Sequence, residues 1–117
     1  MLDVEGEYVS AAKAALEGMG FEVFDDAVVE GVSGLKHSFD IVARRRDRLV
    51  CVSIKPPDPV LSLLEMAKSM DVRGEVFVAI LGNPPRGLPK EFNGKRFKMF
   101  SVKTPKELAE KLRELLA

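Results

Sequence analysis

This 117-residue chain has one cysteine, one tyrosine, one histidine and no tryptophan, and its 18 lysines and arginines are cancelled by 18 aspartates and glutamates. Each shortage excludes something. With Cys51 alone, neither an internal disulfide nor a cysteine-cluster zinc site is available. With no formal net charge, composition by itself singles out no partner. The longest clean apolar run, VFVAIL from Val76 to Leu81, is far too short to cross a bilayer. The opening MLDVEGEY is acidic and lacks the basic stretch and apolar core of a secretory signal. A soluble, reduced, cytoplasmic protein without membrane association is expected. No phosphate-loop or dinucleotide fingerprint occurs, because GVSG (Gly31 to Gly34) lacks the glycine spacing and the lysine-serine ending.

What is present is patterned. The length suits a single domain, residues 1–117, and no repeat or linker interrupts it. Charge is distributed unevenly: residues 1–30 hold eight acids against Lys13 alone, and residues 31–117 hold seventeen bases against ten acids. That asymmetry suits either one basic face offered to a polyanion or internal complementarity.

Val4, Tyr8, Ala11, Ala12, Ala15, Leu16 and Met19 recur at three and four, which is helical spacing, and GMG stops that helix. FEVFDDAVVEG reads as a strand, irregular at Asp25-Asp26. SFDIVA and LVCVSIK read as a hairpin joined through RRRDR. Asp58 and Pro59 are placed to cap and begin a helix over Val60 to Asp71, whose apolar stripe is Val60, Leu63, Leu64, Ala67 and Met70. EVFVAILG is an unbroken apolar strand of the kind buried on both faces. NPPRGLPKEFNGKR is a long loop, FKMFSV a further strand, and Thr104 with Glu107 forms a capping box ahead of a last helix. The order is αβββαβ followed by βα, an α/β fold.

That order resembles the restriction-endonuclease-like, or PD-(D/E)xK, nuclease fold, in particular its archaeal Holliday junction resolvase and Mrr-type branches. The resemblance covers about residues 5–82, with the C-terminal strand and helix extending the sheet. Its local marks are GFEV (Gly20 to Val23) after the first helix, Ser33-Gly34 before the second strand, and FDIVA (Phe39 to Ala43) where the family often has Pro-Asp followed by apolar residues.

Strand period two supplies a check independent of the family. It puts Ser38, Asp40 and Val42 on one face of the second strand, opposite Phe39, Ile41 and Ala43, and Cys51, Ser53 and Lys55 on one face of the third. Asp40, Ser53 and Lys55 are therefore expected to converge. The resemblance implies Asp40 as a ligand for magnesium or manganese and Lys55 as the group that positions water or stabilises charge, with DNA phosphodiester hydrolysis as the reaction. The chain departs from the signature at Ser53, where the family has an acid. A hydroxyl there is at most a weak ligand for magnesium, which usually relies on one or two carboxylates.

Some enzymes of the resembled fold carry the missing acid on the next helix, which makes Glu65 a candidate. Helical geometry at about 100° per residue sets Glu65 almost opposite the apolar stripe, and so away from the sheet. On the first helix, the family's acid position falls at Val9, with Glu7 and Glu5 nearby but out of phase. Without catalysis, Asp40 and Lys55 make a structural ion pair between neighbouring strands. His37 and Cys51 are more simply a hydrogen-bonded histidine and inert packing than a base and a nucleophile.

Arg44, Arg45, Arg46 and Arg48 crowd the hairpin tip, and Arg86, Lys90, Lys95, Arg96 and Lys98 lie in or beside the long loop. Such groups contact successive phosphates or form a solvated, solubilising surface. Only eight aromatics are present, mostly at strand positions, so duplex or branched DNA is a better partner than a single strand. Two functions follow. One is a nucleic-acid-associated protein with a degenerate metal-dependent endonuclease centre. The other is a non-catalytic adaptor or regulator that uses the fold for protein contacts, homodimerisation included.

Overall fold

The computed structural model describes residues 4–84, 86–89 and 91–117. Their elements run α1 (Val4–Gly18), β1 (Glu22–Glu30), β2 (Lys36–Arg45), β3 (Arg48–Lys55), α2 (Pro59–Asp71), β4 (Glu75–Leu81), β5 (Glu91–Asn93), β6 (Phe97–Val102) and α3 (Pro105–Leu116). One six-stranded sheet has the order β1-β2-β3-β4-β6-β5. The pairs β1–β2 and β2–β3 are antiparallel, β3–β4 and β4–β6 are parallel, and β5 returns antiparallel to β6. This is the αβββαβ order of the endonuclease-like core, extended by β5, β6 and α3.

Local chemistry explains where the helices start and stop. The N–H groups of Gly20 and Phe21 donate back to the carbonyls of Glu17 and Leu16, and Gly20 takes φ 89°, so GMG closes α1 in a left-handed C-terminal turn that a side chain would strain. Asp58 accepts from the N–H of Val60 at 2.8 Å and begins α2, with Pro59 in its first turn. Thr104 caps α3 by accepting from the Glu107 N–H at 3.0 Å. The Glu107 carboxylate accepts in return from the N–H of Lys103 at 3.3 Å, one residue earlier than in a strict capping box.

Two cores flank the sheet. Against α1 and α3 lie Ile41, Ala43, Val50, Val52, Ile54, Phe77, Ala79, Phe100 and Val102, facing Tyr8, Ala12, Leu16, Leu108, Leu112 and Leu116. On the opposite face Phe39, Val42, Cys51, Val76, Val78, Ile80, Phe97 and Met99 lie together, and α2 contributes only the partly buried Met66. β4 alternates cleanly between the two, which accounts for its unbroken apolar sequence.

Three expectations are corrected. α2 is turned the other way: Ser62 and Glu65 are its buried residues, and Val60, Leu63, Leu64 and Met70 are exposed. β2 does not keep one alternation, because Phe39 packs with Val42 whereas Ile41 and Ala43 share the other core. The reversal falls at Asp40, opposite the irregularity expected in β1, where Asp26 takes a left-handed φ of 45°. Val23 therefore packs on the α1 side while Ala27 and Val29 pack on the α2 side. Finally, the long loop contains β5, a three-residue strand too short to leave a periodic trace.

Candidate functional site

Asp40 sits where β2 and β3 part. Cross-strand pairing ends at Ile41 with Val52, and in place of the next ladder bond Asp40 Oδ2 accepts from the Ile54 N–H at 2.7 Å. The half-buried Asp40 lines a depression of about 250 Å³ with Glu5, Gly6, Val9, Asp25 and Asp26, so it opens beside α1. Glu5, out of phase by sequence counting, does reach this depression; Glu7 does not line it. Asp25 is 3.7 Å from Lys13.

Lys55 and Ser53 belong to the other face. Lys55 lines a separate cavity of about 540 Å³ with Ser33, Leu35, His37, Leu61, Leu64, Glu65, Ala67, Lys68 and Asp71. No ion pair joins Asp40 to Lys55 among the described residues. Ser53 is fully buried on the α2 side, and its Oγ has no hydrogen-bond partner. The expected convergence of Asp40, Ser53 and Lys55 therefore does not form, because the strand reverses its facing at Asp40.

Glu65 is what helix counting placed wrongly. It lies beneath α2, 2% exposed, with Oε2 bound by Lys68 Nζ at 2.6 Å and Oε1 buried without a partner. Lys68 also donates to the Ser38 carbonyl at 2.7 Å and sits 4.7 Å over the Phe39 ring. The acid is thus on the lysine's side of the sheet and the aspartate is not. No group of three or more histidine, cysteine, aspartate or glutamate side chains among the described residues could hold a metal ion. Asp40, Ser53 and Glu65 do not fit a magnesium or manganese site, because they face different sides of the sheet.

At the cavity's other end His37 Nε2 lies 2.7 Å from Asp71 Oδ2, and Asp71 also accepts from the Ser33 hydroxyl at 2.7 Å and the Ser33 N–H at 2.9 Å. The His37 contact, followed by the two from Ser33, holds the Asp71 carboxyl down at about 2, below the usual carboxylate range. This cluster ties the β1–β2 connection to the end of α2; the sequence singled out His37 as a candidate for chemistry, Ser33 only as a mark of the resemblance, and Asp71 only as the end of a helix. Burial pushes the Cys51 thiol up to about 12, so it is no nucleophile.

The basic residues divide into two populations. Arg45 donates to the Met19 carbonyl at 2.7 Å and lies 4.6 Å over the Phe21 ring, Arg48 makes a two-pronged pair with Glu75 at 2.6 and 3.0 Å, and Arg96 donates to the Val72 carbonyl at 2.6 Å. Lys98 donates to the Gly94 carbonyl at 2.8 Å. Arg44, Arg46, Arg73 and Lys95 are exposed, and their side chains have no hydrogen bond or ion pair among the described residues.

These four stand at one end of the sheet, where the β2–β3 turn meets the chain entering β4 and β6. Arg48, Arg73 and Arg96 line a single depression there with Asp47 and Glu75. Arg86 follows β4 and stands at the opposite end, toward Lys55, while Lys90 is outside the described residues. Seven residue steps of β3 separate Arg48 from Lys55, about 23 Å at ~3.3 Å per residue.

No family model matches the chain, and no curated protein matches it in sequence. Among solved structures, a chain of the Thermococcus gammatolerans assembly of McrB AAA+ hexamers with bound McrC is similar at TM-score 0.50 and 15% identity, over 82% of this chain and 28% of that one. The crystal structure of AF1548, a protein of unknown function, gives 0.49 and 18% over 95% of this chain and 55% of that one. This chain thus spans little more than half of one neighbour and under a third of the other. At these identities the likeness concerns the fold.

Proposed function

We propose that this chain is a DNA-binding domain of the endonuclease-like fold that holds duplex or branched DNA through the end of its sheet at the β2–β3 turn, without a metal centre at Asp40. The observation that carries this reading is the gathering of Arg44, Arg46, Arg73 and Lys95, unpaired and exposed, at the end of the sheet where β3 begins, opposite the end that Lys55 closes. The tied arginines support it by holding the surrounding backbone in place. Four carboxylates around the Asp40 depression make that end a poor seat for phosphates.

Four phosphate contacts give a salt slope of roughly −3.6, so raising salt from 50 to 200 mM weakens binding roughly 150-fold. The test is fluorescence anisotropy with a labelled duplex and a labelled four-way junction, in EDTA and in magnesium. Arg44→Ala and Arg46→Ala should each lower the slope by about one, and Asp40→Asn should leave it unchanged. No binding at 50 mM salt, or binding that needs magnesium, refutes the reading. Magnesium-dependent cleavage lost in Asp40→Asn would replace it with the catalytic one.

A second reading, an adaptor working through protein contacts, is favoured by a different observation, the apolar residues that α2 leaves in solvent.

A further inference from the structure

The cavity between α2 and the connection from β1 to β2 measures about 540 Å³, within the ~300–1,000 Å³ of sites that take small molecules. Its apolar wall is made by Leu35 from that connection and by Leu61, Leu64 and Ala67 from α2. Leu35 and Leu64 are 65 and 56% exposed, so the cavity is open to solvent.

Its charged groups are unequally engaged. Asp71 accepts from Ser33 and is in contact with His37, and Lys68 is held by Glu65 Oε2 and the Ser38 carbonyl. Two groups are left over. Lys55, half-buried at the end of β3, has no hydrogen bond or ion pair among the described residues. Glu65 lines the same cavity with Oε1 buried and without a donor, in a residue 2% exposed. Folded chains leave few such oxygens unpaired, because a buried acceptor without a donor is costly. No ion pair joins Lys55 to Glu65 among the described residues, so the two leftover groups do not satisfy each other.

Their chemistry specifies what bridges them. Glu65 is already neutralised by Lys68, so its free oxygen takes a neutral donor in preference to a second cation. Lys55 is not neutralised, so it takes an anion. A single water satisfies Glu65 alone and leaves Lys55 and the apolar wall without a partner. A phosphodiester meets Lys55 but brings no apolar body to the leucines.

We propose that this cavity binds a small organic acid: its anionic group pairs with Lys55 Nζ, its apolar body lies against Leu35, Leu61 and Leu64, and an O–H or N–H elsewhere on it donates to Glu65 Oε1. The site is independent of the DNA-binding reading, since Arg44, Arg46, Arg73 and Lys95 do not line it.

The probe is para-hydroxyphenylpropionate, which carries a carboxylate, an apolar ring and a hydroxyl donor. Titrated into the isotope-labelled full chain, it should shift the amide NMR signals of Leu35, Leu61, Leu64 and Ala67 and saturate with a Kd of about 1 mM or lower. Phenylpropionate lacks the hydroxyl, para-ethylphenol lacks the carboxylate, and tyramine has an ammonium in its place; each should bind about tenfold or more weakly. Lys55→Met keeps the stem without the charge, and should weaken the acid about tenfold while leaving para-ethylphenol unchanged. Glu65→Leu should cancel the advantage of the hydroxylated acid over phenylpropionate; where that variant does not fold, the comparison of the two acids on the wild type decides. Added duplex should not displace the acid. The proposal is overturned if those signals stay in place up to about 10 mM acid. It is equally overturned by wild-type binding of tyramine or phenylpropionate that equals that of the hydroxylated acid, by full binding in Lys55→Met, or by displacement with duplex, which would return Lys55 to the nucleic-acid surface.

Discussion

Replacing Asp40 by alanine isolates what its carboxylate does for the fold. In the wild type Oδ2 accepts from the Ile54 N–H at 2.7 Å, taking the place of a strand carbonyl where β2 leaves β3. Ile54 is 3% exposed, so water does not readily replace that acceptor. Leaving a buried donor without a partner costs about 1–3 kcal/mol, toward the upper end when the lost acceptor is charged. For 117 residues the unfolding entropy is about 0.25 kcal/mol/K, so each kcal/mol lowers Tm by about 4 °C. Asp40→Ala should therefore melt about 4–12 °C below wild type by circular dichroism. Asp40→Asn keeps a carbonyl oxygen in nearly the same place and should lose less than half as much. If the two substitutions melt together, or alanine costs less than about 0.5 kcal/mol, the carboxylate is not the acceptor that completes the ladder and the account of the strand reversal fails.

Ser53→Ala should be neutral or stabilising by up to about 1 kcal/mol in urea titration, since it removes a buried hydroxyl with no partner. Ser53→Glu, which would introduce the acid of the resembled signature, should instead destabilise by several kcal/mol, because it puts a second carboxylate under the helix that already buries Glu65; calorimetric magnesium binding by a folded Ser53→Glu would refute this. Asp71 titrates in the native state at about 2, below its unfolded value of 3.8, so its contribution is complete above the unfolded value and is lost as pH falls through the native one. The stability gap between wild type and Asp71→Asn should close as pH falls from about 4 toward 2. Cys51, fully buried with its thiol pushed up to about 12, should not react with a disulfide reagent at pH 8 until the chain unfolds; rapid native labelling would contradict its placement.

Much of the element order is written locally. Asp58-Pro59 and Thr104-Pro105 begin helices through bonds that span three residues or fewer, GMG ends one, and Asp25-Asp26 interrupt the apolar residues between Glu22 and Glu30 where the strand is irregular. β5 left no signal, since Glu91–Asn93 is a strand only because β6 lies beside it. The candidate site was legible in part. Strand period placed Ser53 and Lys55 on one face correctly, and failed at Asp40, where the backbone reverses. Charge counting found the basic hairpin, but Arg45, Arg48 and Arg96 are occupied by Met19, Glu75 and Val72, and Arg73 was overlooked because it joins the others only through the sheet.

By itself the sequence determined the αβββαβ order, the strand that is buried on both sides, and the membership of the α2 stripe, because propensity, capping and periodicity act between near neighbours. Only the tertiary structure decided which way that stripe points and that Asp40 and Lys55 open into different depressions. Periodicity groups side chains by face but holds no information about what each face meets; that depends on the rotation of a helix over a sheet and on one left-handed residue in the neighbouring strand.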